Sequence, residues 1–556
     1  MSIKICLAQT AEELDFILKK FSDPVICLPL NLETQLYCIK NKLAFYNPID
    51  FIDNTFYENA LIDSENLINK LNFKNLNFES HVKEYKAFIR FRYYSTVFLI
   101  EVIDKINAKE KIEEIFISGW NTYFAQYSEK NYFVSFIILN IIKNIKISKL
   151  TNHKMDQVSS KQDNKYLITS FKIDKKKSYV LINNVGYNFL RIAFLLIKKN
   201  YHILVPTFDK INFLKKIVFK MLKIFFIEFQ TYPTGKNKVL KLPEIEHTYK
   251  KNNLSQILNF RKEQEIGNLI KLINQSNGID DLFDKANIKF VFTNVTRGIH
   301  GYYIDKSKEK KIPSVCIPHG TLSGHFNKYD KIYKNIIAEP IYINQCKFFA
   351  VQSKIAKNFI KSNNFGNEAI DTGNLIFSES KSESKNKILF AVTLKDFANF
   401  QYFGVEMYYE FLDNLKLFNN IAKKYNLNFL IKPHPSVNHC FQDLKNTFKN
   451  LEFSKKKIDK VLKEVFVTIS YSSTVIEDSL YSKKPVILFD RWKRYKHCNS
   501  EEDVMKKNSA IYYVDNENKL IDCIDTIRNS TDIKFNNYIF EGSSKKNINN
   551  LINKLL

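Results

Sequence analysis

Short apolar runs closed by Gly, Pro, Asn or Ser alternate along this chain with longer stretches of helical period, the pattern of strands and helices that take turns. Residues 3–8, 25–29 and 114–118 read as buried strands, the third followed by Gly119-Trp120-Asn121. Residues 133–147 read as a strongly apolar helix that leads to another strand, and the Lys- and Ser-rich stretch 154–164 as a surface loop. The first 150 or so residues are therefore an α/β region.

A new cycle starts at Ser178: SYVLINNVG is a strand ending in an Asn-Gly loop, FLRIAFLLIKKN a helix, and YHILVP a second strand. Gly186 either lets a ligand approach the backbone or only closes a tight turn. Residues 211–229 (INFLKKIVFKMLKIFFIEF) read as one helix with Lys216, Lys220 and Lys223 on a common face. Such a helix suits an anionic membrane interface, or it is a core helix whose lysines are its solvated side. Residues 231–253 read as loop. Strands follow at 288–293, 315–317 and 346–352; the stretch 369–374 begins a crossing, and the Ser/Lys-rich segment 378–386 has linker composition. At Lys387 the alternation restarts, with a strand at 387–392 and no internal repeat.

The densest chemistry lies in residues 428–490. A run ending at Ile431 stops at Lys432-Pro433-His434-Pro435, where two prolines forbid continuation and leave the imidazole in a loop. A second run, 465–470, meets Tyr471-Ser472-Ser473-Thr474, and 475–482 then reads as a helix with Glu477 and Asp478 in its first turn. Hydroxyls beside free N–H groups at a helix start suit an anion. The third run, 485–489, ends at Asp490 and completes a right-handed strand-helix-strand unit. Ligands bind at such carboxyl ends of open sheets, so this is a candidate phosphate-binding rim.

At 556 residues and 45% hydrophobic, the chain supports two or three substantial cores and is not a disordered protein. A net charge of +26 suggests an anionic partner, although a Lys-, Asn- and Ile-rich composition accounts for part of it. No nucleic-acid-binding signature accompanies the charge, so no nucleic-acid partner is expected. Eight scattered cysteines contain no C-x-x-C pair, which fits a reducing compartment without a zinc site or disulfide framework. The start of the chain lacks the basic and apolar regions of a signal peptide, and no long uncharged apolar run suggests a membrane span. A cytoplasmic location is expected, with the inner face of the cell membrane as an alternative site.

His434-Pro435 after one strand, Ser472-Ser473-Thr474 after the next, acidic Glu477 on the following helix and Lys484-Pro485 before the last strand resemble the nucleotide-binding half of two-domain GT-B glycosyltransferases. Among these the pattern resembles the users of cytidine-activated donors: bacterial sialyltransferases, Kdo transferases and CDP-glycerol transferases. The likeness runs in pieces over 288–514. His319-Gly320-Thr321, at a strand end after Pro318, resembles the loop of CDP-glycerol transferases that carries their base, but Leu322-Ser323 follows where that group has Pro-Leu-Lys.

The resemblance implies an α/β, GT-B-like fold: an α/β region at 1–165, an acceptor-side Rossmann-like half at 166–380 and a nucleotide-binding half at 381–556. It implies inverting transfer of a sugar, CMP-linked, to a surface-polysaccharide or lipid-linked acceptor. Charge growing on the departing phosphate needs donors. His434, Lys432, Ser472, Ser473 and Thr474 supply them, and Glu477 suits ribose hydroxyls. The acceptor hydroxyl needs a base, and His319 is the choice, with His300 and His325 behind it. Gly186, Arg297, Gly320, Thr321 and His325 are acceptor-side candidates. No metal and no separate cofactor are expected, because no D-x-D motif ends a strand. The basic cluster Arg491, Lys493, Arg494 and Lys496 faces phosphates, or is simply a solvated charge run. A glycerol- or ribitol-phosphate transferase stays open, as does a GT-B-like epimerase or a binding module without catalysis. An epimerase would bring several carboxylates to the sugar, and only Asp371 and Asp396 offer themselves.

Overall fold

The computed structural model of the chain describes residues 2–21, 24–73, 79–119, 122–124, 129–131, 133–151, 162–168, 173–208, 210–237, 240–260, 262–318, 328–339, 346–363, 365, 368–373, 386–392, 406–471, 473–493, 496–540 and 544–555. The α/β class is observed, with most strands gathered into three largely parallel sheets and two short antiparallel pairs beside them, Thr122–Phe124 with Glu129–Asn131 and Thr248–Tyr249 with Asn252–Asn253.

The first sheet contains β1 (Ile3–Ala8), β2 (Ile26–Pro29), β3 (Ile112–Ile117) and β4 (Lys146–Lys149) in the order β2-β1-β3-β4, every neighbour parallel. Helices α1 (Ala11–Leu18), α2 (Leu32–Lys40), α3 (Asn54–Lys70) and the 31-residue α4 (Glu79–Lys109) surround it. Side-chain caps fix their starts: Thr10 accepts from the Glu13 amide at 3.1 Å, Asn31 and Thr34 cap reciprocally, and Asp53 accepts from the Phe56 amide at 2.8 Å. The helix expected over 133–147 ends at Ile141. Past it Ile145 and Ile147 alternate with Lys146 and Ser148, and that two-residue period makes strand β4.

The middle sheet has eight strands: β5 (Gln162–Ile168), β6 (Tyr179–Ile182), β7 (His202–Thr207), β8 (Ile224–Asn237), β9 (Ile288–Thr293), β10 (Ser314–Cys316), β11 (Phe348–Val351) and β12 (Glu368–Asp371). Their order is β12-β11-β10-β9-β6-β7-β8-β5, parallel except where β5 runs against β8. Three expectations fail here. The run 211–229 is not one helix: α5 covers only Phe213–Met221, Lys223 turns the chain at φ +55, and the aromatic and β-branched IFFIEF begins β8. That strand extends to Asn237, into the stretch 231–253 read as loop. The strand β5 starts at Gln162, inside the expected loop 154–164.

The third sheet contains β13 (Lys387–Phe390), β14 (Asn428–Ile431), β15 (Glu452–Phe453), β16 (Val467–Ser470), β17 (Val486–Phe489) and β18 (Ile511–Val514), ordered β15-β14-β13-β16-β17-β18 and wholly parallel. Its inner strands are buried on both faces, as parallel sheets require.

The first unit is built into the other two. One hydrophobic cluster runs from Ile5, Leu28 and Phe98 to Phe390, Phe418 and Phe489 of the third unit. Polar links accompany it: the Tyr409 hydroxyl donates to the Pro29 carbonyl, and Asn54 Nδ2 donates to the Trp492 carbonyl at 3.2 Å. Toward the middle unit α4 crosses helix α6 (Gly298–Glu309) closely, because Gly301 has no side chain. A Cβ there would lie 2.5 Å from the Thr296 carbonyl oxygen and 2.6 Å from Ser80 Cβ. Arg90 on α4 is buried between Glu65 and Glu339, at 2.6 Å from each. The last helix, α9 (Ser544–Leu555), leaves the third sheet and buries Ile548, Leu551 and Ile552 against the middle one, beside Val180 and Ile192.

Candidate functional site

Each sheet reverses its direction of growth at one point, and that crevice at the carboxyl ends is where open α/β sheets hold ligands. The points are β1/β3, β6/β9 and β13/β16.

The first is closed by the chain itself. Glu13, in the first turn of α1, is buried and accepts from the Ser118 hydroxyl and, at 2.7 Å, from the Gln9 amide. Burial pushes its carboxyl above the usual range, against these hydrogen bonds. An anion has no seat there.

The second carries amide donors and acceptors, with the cation Arg297 beside them. Asn183, ending β6, donates through Nδ2 to Asn294 Oδ1 beyond β9 at 2.6 Å, and Asn184 Oδ1 accepts from the Gly186 amide at 2.8 Å. Gly186 starts the following helix at φ −64, a conformation open to any residue. Its lack of a side chain matters for another reason: a Cβ would fall 2.7 Å from Asn184 Oδ1. Arg297 is the N-cap residue of α6. His300, in the first turn, has a buried Nδ1 without a hydrogen-bond partner among the described residues. Burial, then the neighbouring Arg297 charge, lowers its pKa to about 4, so the ring is neutral at pH 7.

The third carries the phosphate-type groups. Phe390 of β13 is level with Ile431 of β14 and Ile469 of β16, so Lys432-Pro433-His434 and Tyr471-Ser473-Thr474 leave the same edge, two strands or roughly 10 Å apart. The Lys432 amide is tied to the Phe390 carbonyl at 3.0 Å, and half-burial lowers the pKa of its ammonium. The His434 carbonyl accepts from the Val437 amide at 3.0 Å, which bends the loop back over the edge. Ser473 Oγ accepts from the Val475 amide at 3.3 Å where helix α8 (Val475–Tyr481) begins, and Thr474 is exposed. Beyond them Ser470 Oγ, Ser500 Oγ and His497 Nε2 are buried with no hydrogen-bond partner among the described residues. Burial followed by Lys334 holds His497 near 3.

These two carboxyl edges are turned toward each other. Ser353, just past β11, donates its hydroxyl to Glu477 of α8, and the Tyr481 hydroxyl donates to the Gln352 carbonyl at 2.6 Å. Lys334 Nζ, on helix α7 (Lys328–Ala338) after β10, donates to the Lys496 carbonyl at 3.0 Å. Glu477 therefore does not stand on an open rim, as its place in the sequence suggests. It is 3% exposed, meets the middle unit, and burial pushes its carboxyl up to about 8.

His319, Gly320, Thr321, His325, Ser472, Asp396 and Arg494 lie outside the described residues. Asp371 forms an ion pair with Lys357 at 2.6 Å. Among the described residues no group of three His, Cys, Asp or Glu side chains is placed to hold a metal ion, and the eight cysteines are free and buried. Sequence reasoning missed Ser353 and the pairing of Asn183 with Asn294; the Asn-Asn pair after a strand was their only local sign. His497 was missed too, since a histidine in a charged loop looks solvated.

No family model matches the chain, and no curated protein matches it. Solved structures do. UDP-GlcNAc 2-epimerase from Methanocaldococcus jannaschii is 14% identical, with 68% of this chain and 99% of that one covered and a TM-score of 0.38. The same enzyme from Neisseria meningitidis, bound to UDP-GlcNAc, is 15% identical over 68% and 100%, with a TM-score of 0.39. A wall teichoic acid polymerase is 11% identical over 69% and 89%, with a TM-score of 0.34. Likeness of that size says nothing of what this chain binds. By its own sheets the chain is an α/β protein of two Rossmann-like units with facing carboxyl edges, the GT-B-like arrangement, and a third α/β unit is packed against both.

Proposed function

We propose that the protein transfers a glycosyl group from a nucleotide-activated sugar, CMP-linked, to a surface-polysaccharide or lipid-linked acceptor, with inversion at the sugar carbon. The observation that carries this reading is the asymmetry of the two facing edges. One offers a partly desolvated lysine, an imidazole and hydroxyls at a helix start, groups suited to phosphate. The other offers amide side chains, which suit the neutral hydroxyls of a sugar or glycan.

In this reading His434, Lys432, Ser473, Thr474 and, by its place in the sequence, Ser472 hold the donor phosphate. The acceptor oxygen attacks the anomeric carbon as the bond from that carbon to the phosphate oxygen breaks. The phosphate departs with the bonding pair, and the acceptor proton passes to His319. Protein donors alone stabilise the departing charge, without a separate cofactor. Glu477 is committed to Ser353 in this arrangement, so it serves the junction between units, and a ribose contact is not assigned to it.

Purified protein incubated with CMP-, UDP- and GDP-linked sugars and CDP-glycerol tests the reading through the nucleotide released. CMP from a CMP-sugar is expected. CMP from CDP-glycerol alone would replace glycosyl with polyol-phosphate transfer, and a sugar isomerised without nucleotide release would make the protein an epimerase. His319→Ala is expected to lower kcat by on the order of 10²- to 10⁴-fold with donor affinity nearly intact. Near-full activity would place the base elsewhere, with His300 next to test.

A further inference from the structure

A helix that connects two parallel strands ordinarily turns its apolar stripe to the sheet. Helix α5, between β7 and β8, does the reverse. None of its nine residues is buried. Phe213, Leu214 and Met221 are 72%, 70% and 80% exposed, and Ile217 and Val218 are exposed beside them. A charged side chain points inward instead: the Lys216 ammonium pairs with Glu228 of β8, with Phe219 edge-on to Phe226 at a ring-centroid distance of 5.4 Å and the Lys215 ammonium 5.7 Å from the Phe226 ring. Lys210, Lys215, Lys220 and Lys223 flank the apolar face, and no acidic residue occurs in 210–223.

From this inversion we infer that α5 lies flat in an anionic lipid interface, its apolar face among the acyl chains and its flanking lysines at the headgroups. The charge selects the occupant. A second copy of the chain would bring the same lysines against these, whereas anionic headgroups neutralise them. The helix is too short to cross a bilayer, and no helix among the described residues is long and apolar enough to do so. Side chains near the helix start, Phe213 and Leu214, emerge on the carboxyl-end side of the middle sheet, the side turned to the third unit. Docked this way, the amide-lined edge stands close to the membrane surface, where a lipid-linked acceptor would reach it; that consequence rests on the transfer reading, and the docking does not.

The test is co-flotation of the full chain with vesicles of phosphatidylcholine, alone or mixed with phosphatidylglycerol. Two double variants accompany the parent, Leu214→Ser with Met221→Ser and Lys215→Glu with Lys220→Glu. All four side chains are exposed, and Lys216 is left alone because it holds the helix to β8. The parent is expected to float with the anionic vesicles and not with the neutral ones, and each variant to bind at least about tenfold less with unchanged circular dichroism. Equal flotation of parent and variants, or none by the parent, overturns the inference. A concentration-dependent dimer that the apolar variant abolishes, with no flotation, overturns it too, by showing a second copy on the patch.

Discussion

At the scale of single residues, burial decides which groups are charged. Glu477 takes up a proton on folding, because its pKa rises from the ordinary 4.5 to about 8. The stability this contributes is complete below pH 4.5 and is lost as pH rises through about 8. Glu477→Gln keeps a neutral acceptor for Ser353. The melting temperature of the parent minus that of the variant is therefore expected to fall steadily between these two pH values, and a flat difference would show that the carboxyl is already ionised in the fold. Arg90 poses the opposite case, since removing a charge buried between two carboxylates takes the ion pair from Glu65 and leaves Glu339 with the longer one to Lys86 at 3.7 Å. Arg90→Met is expected to cost about 3–5 kcal/mol in denaturant unfolding. A cost below about 1 kcal/mol would mean that Glu65 and Glu339 reach water without it.

At the scale of elements, most of the buried parallel strands were legible as short apolar runs, and β14 was located to the residue, whereas β15 and β18 were not read. The phosphate-type edge was legible for the same reason, as its chemistry sits in the punctuation. Three features were not. Helix α4 mixes aromatic and charged residues because it is packed on several sides, by α3, α6 and the helix of Lys262–Lys285, so no single apolar stripe marks it. The strand β8 follows lysines at helical spacing, and only the chain reversal at Lys223 separates the two periods. Contacts such as Ser353 with Glu477, 124 residues apart, leave no local pattern at all. The α4–α6 crossing yields a prediction at this scale. Gly301→Ala places a methyl against the Thr296 carbonyl and Ser80, and is expected to cost about 1–3 kcal/mol. An unchanged unfolding midpoint would show that the two helices separate freely.

For the whole molecule, the facing edges are braced from outside by the first unit, which shares its core with the third and crosses the middle one through α4. Its own switch point holds the buried Glu13 carboxyl, bonded by Ser118. Transfer from a nucleotide-activated sugar, as proposed, requires nucleotide binding at the β13/β16 edge. Calorimetric titration of CMP, CDP and UDP into the parent, His434→Ala and Asn294→Ala measures this without needing the acceptor. A cytidine nucleotide is expected to bind the parent, to bind His434→Ala at least about tenfold more weakly through a lost charge-assisted contact, and to bind Asn294→Ala as it binds the parent. Failure of all three nucleotides to bind, or equal affinity for the parent and His434→Ala, would contradict it.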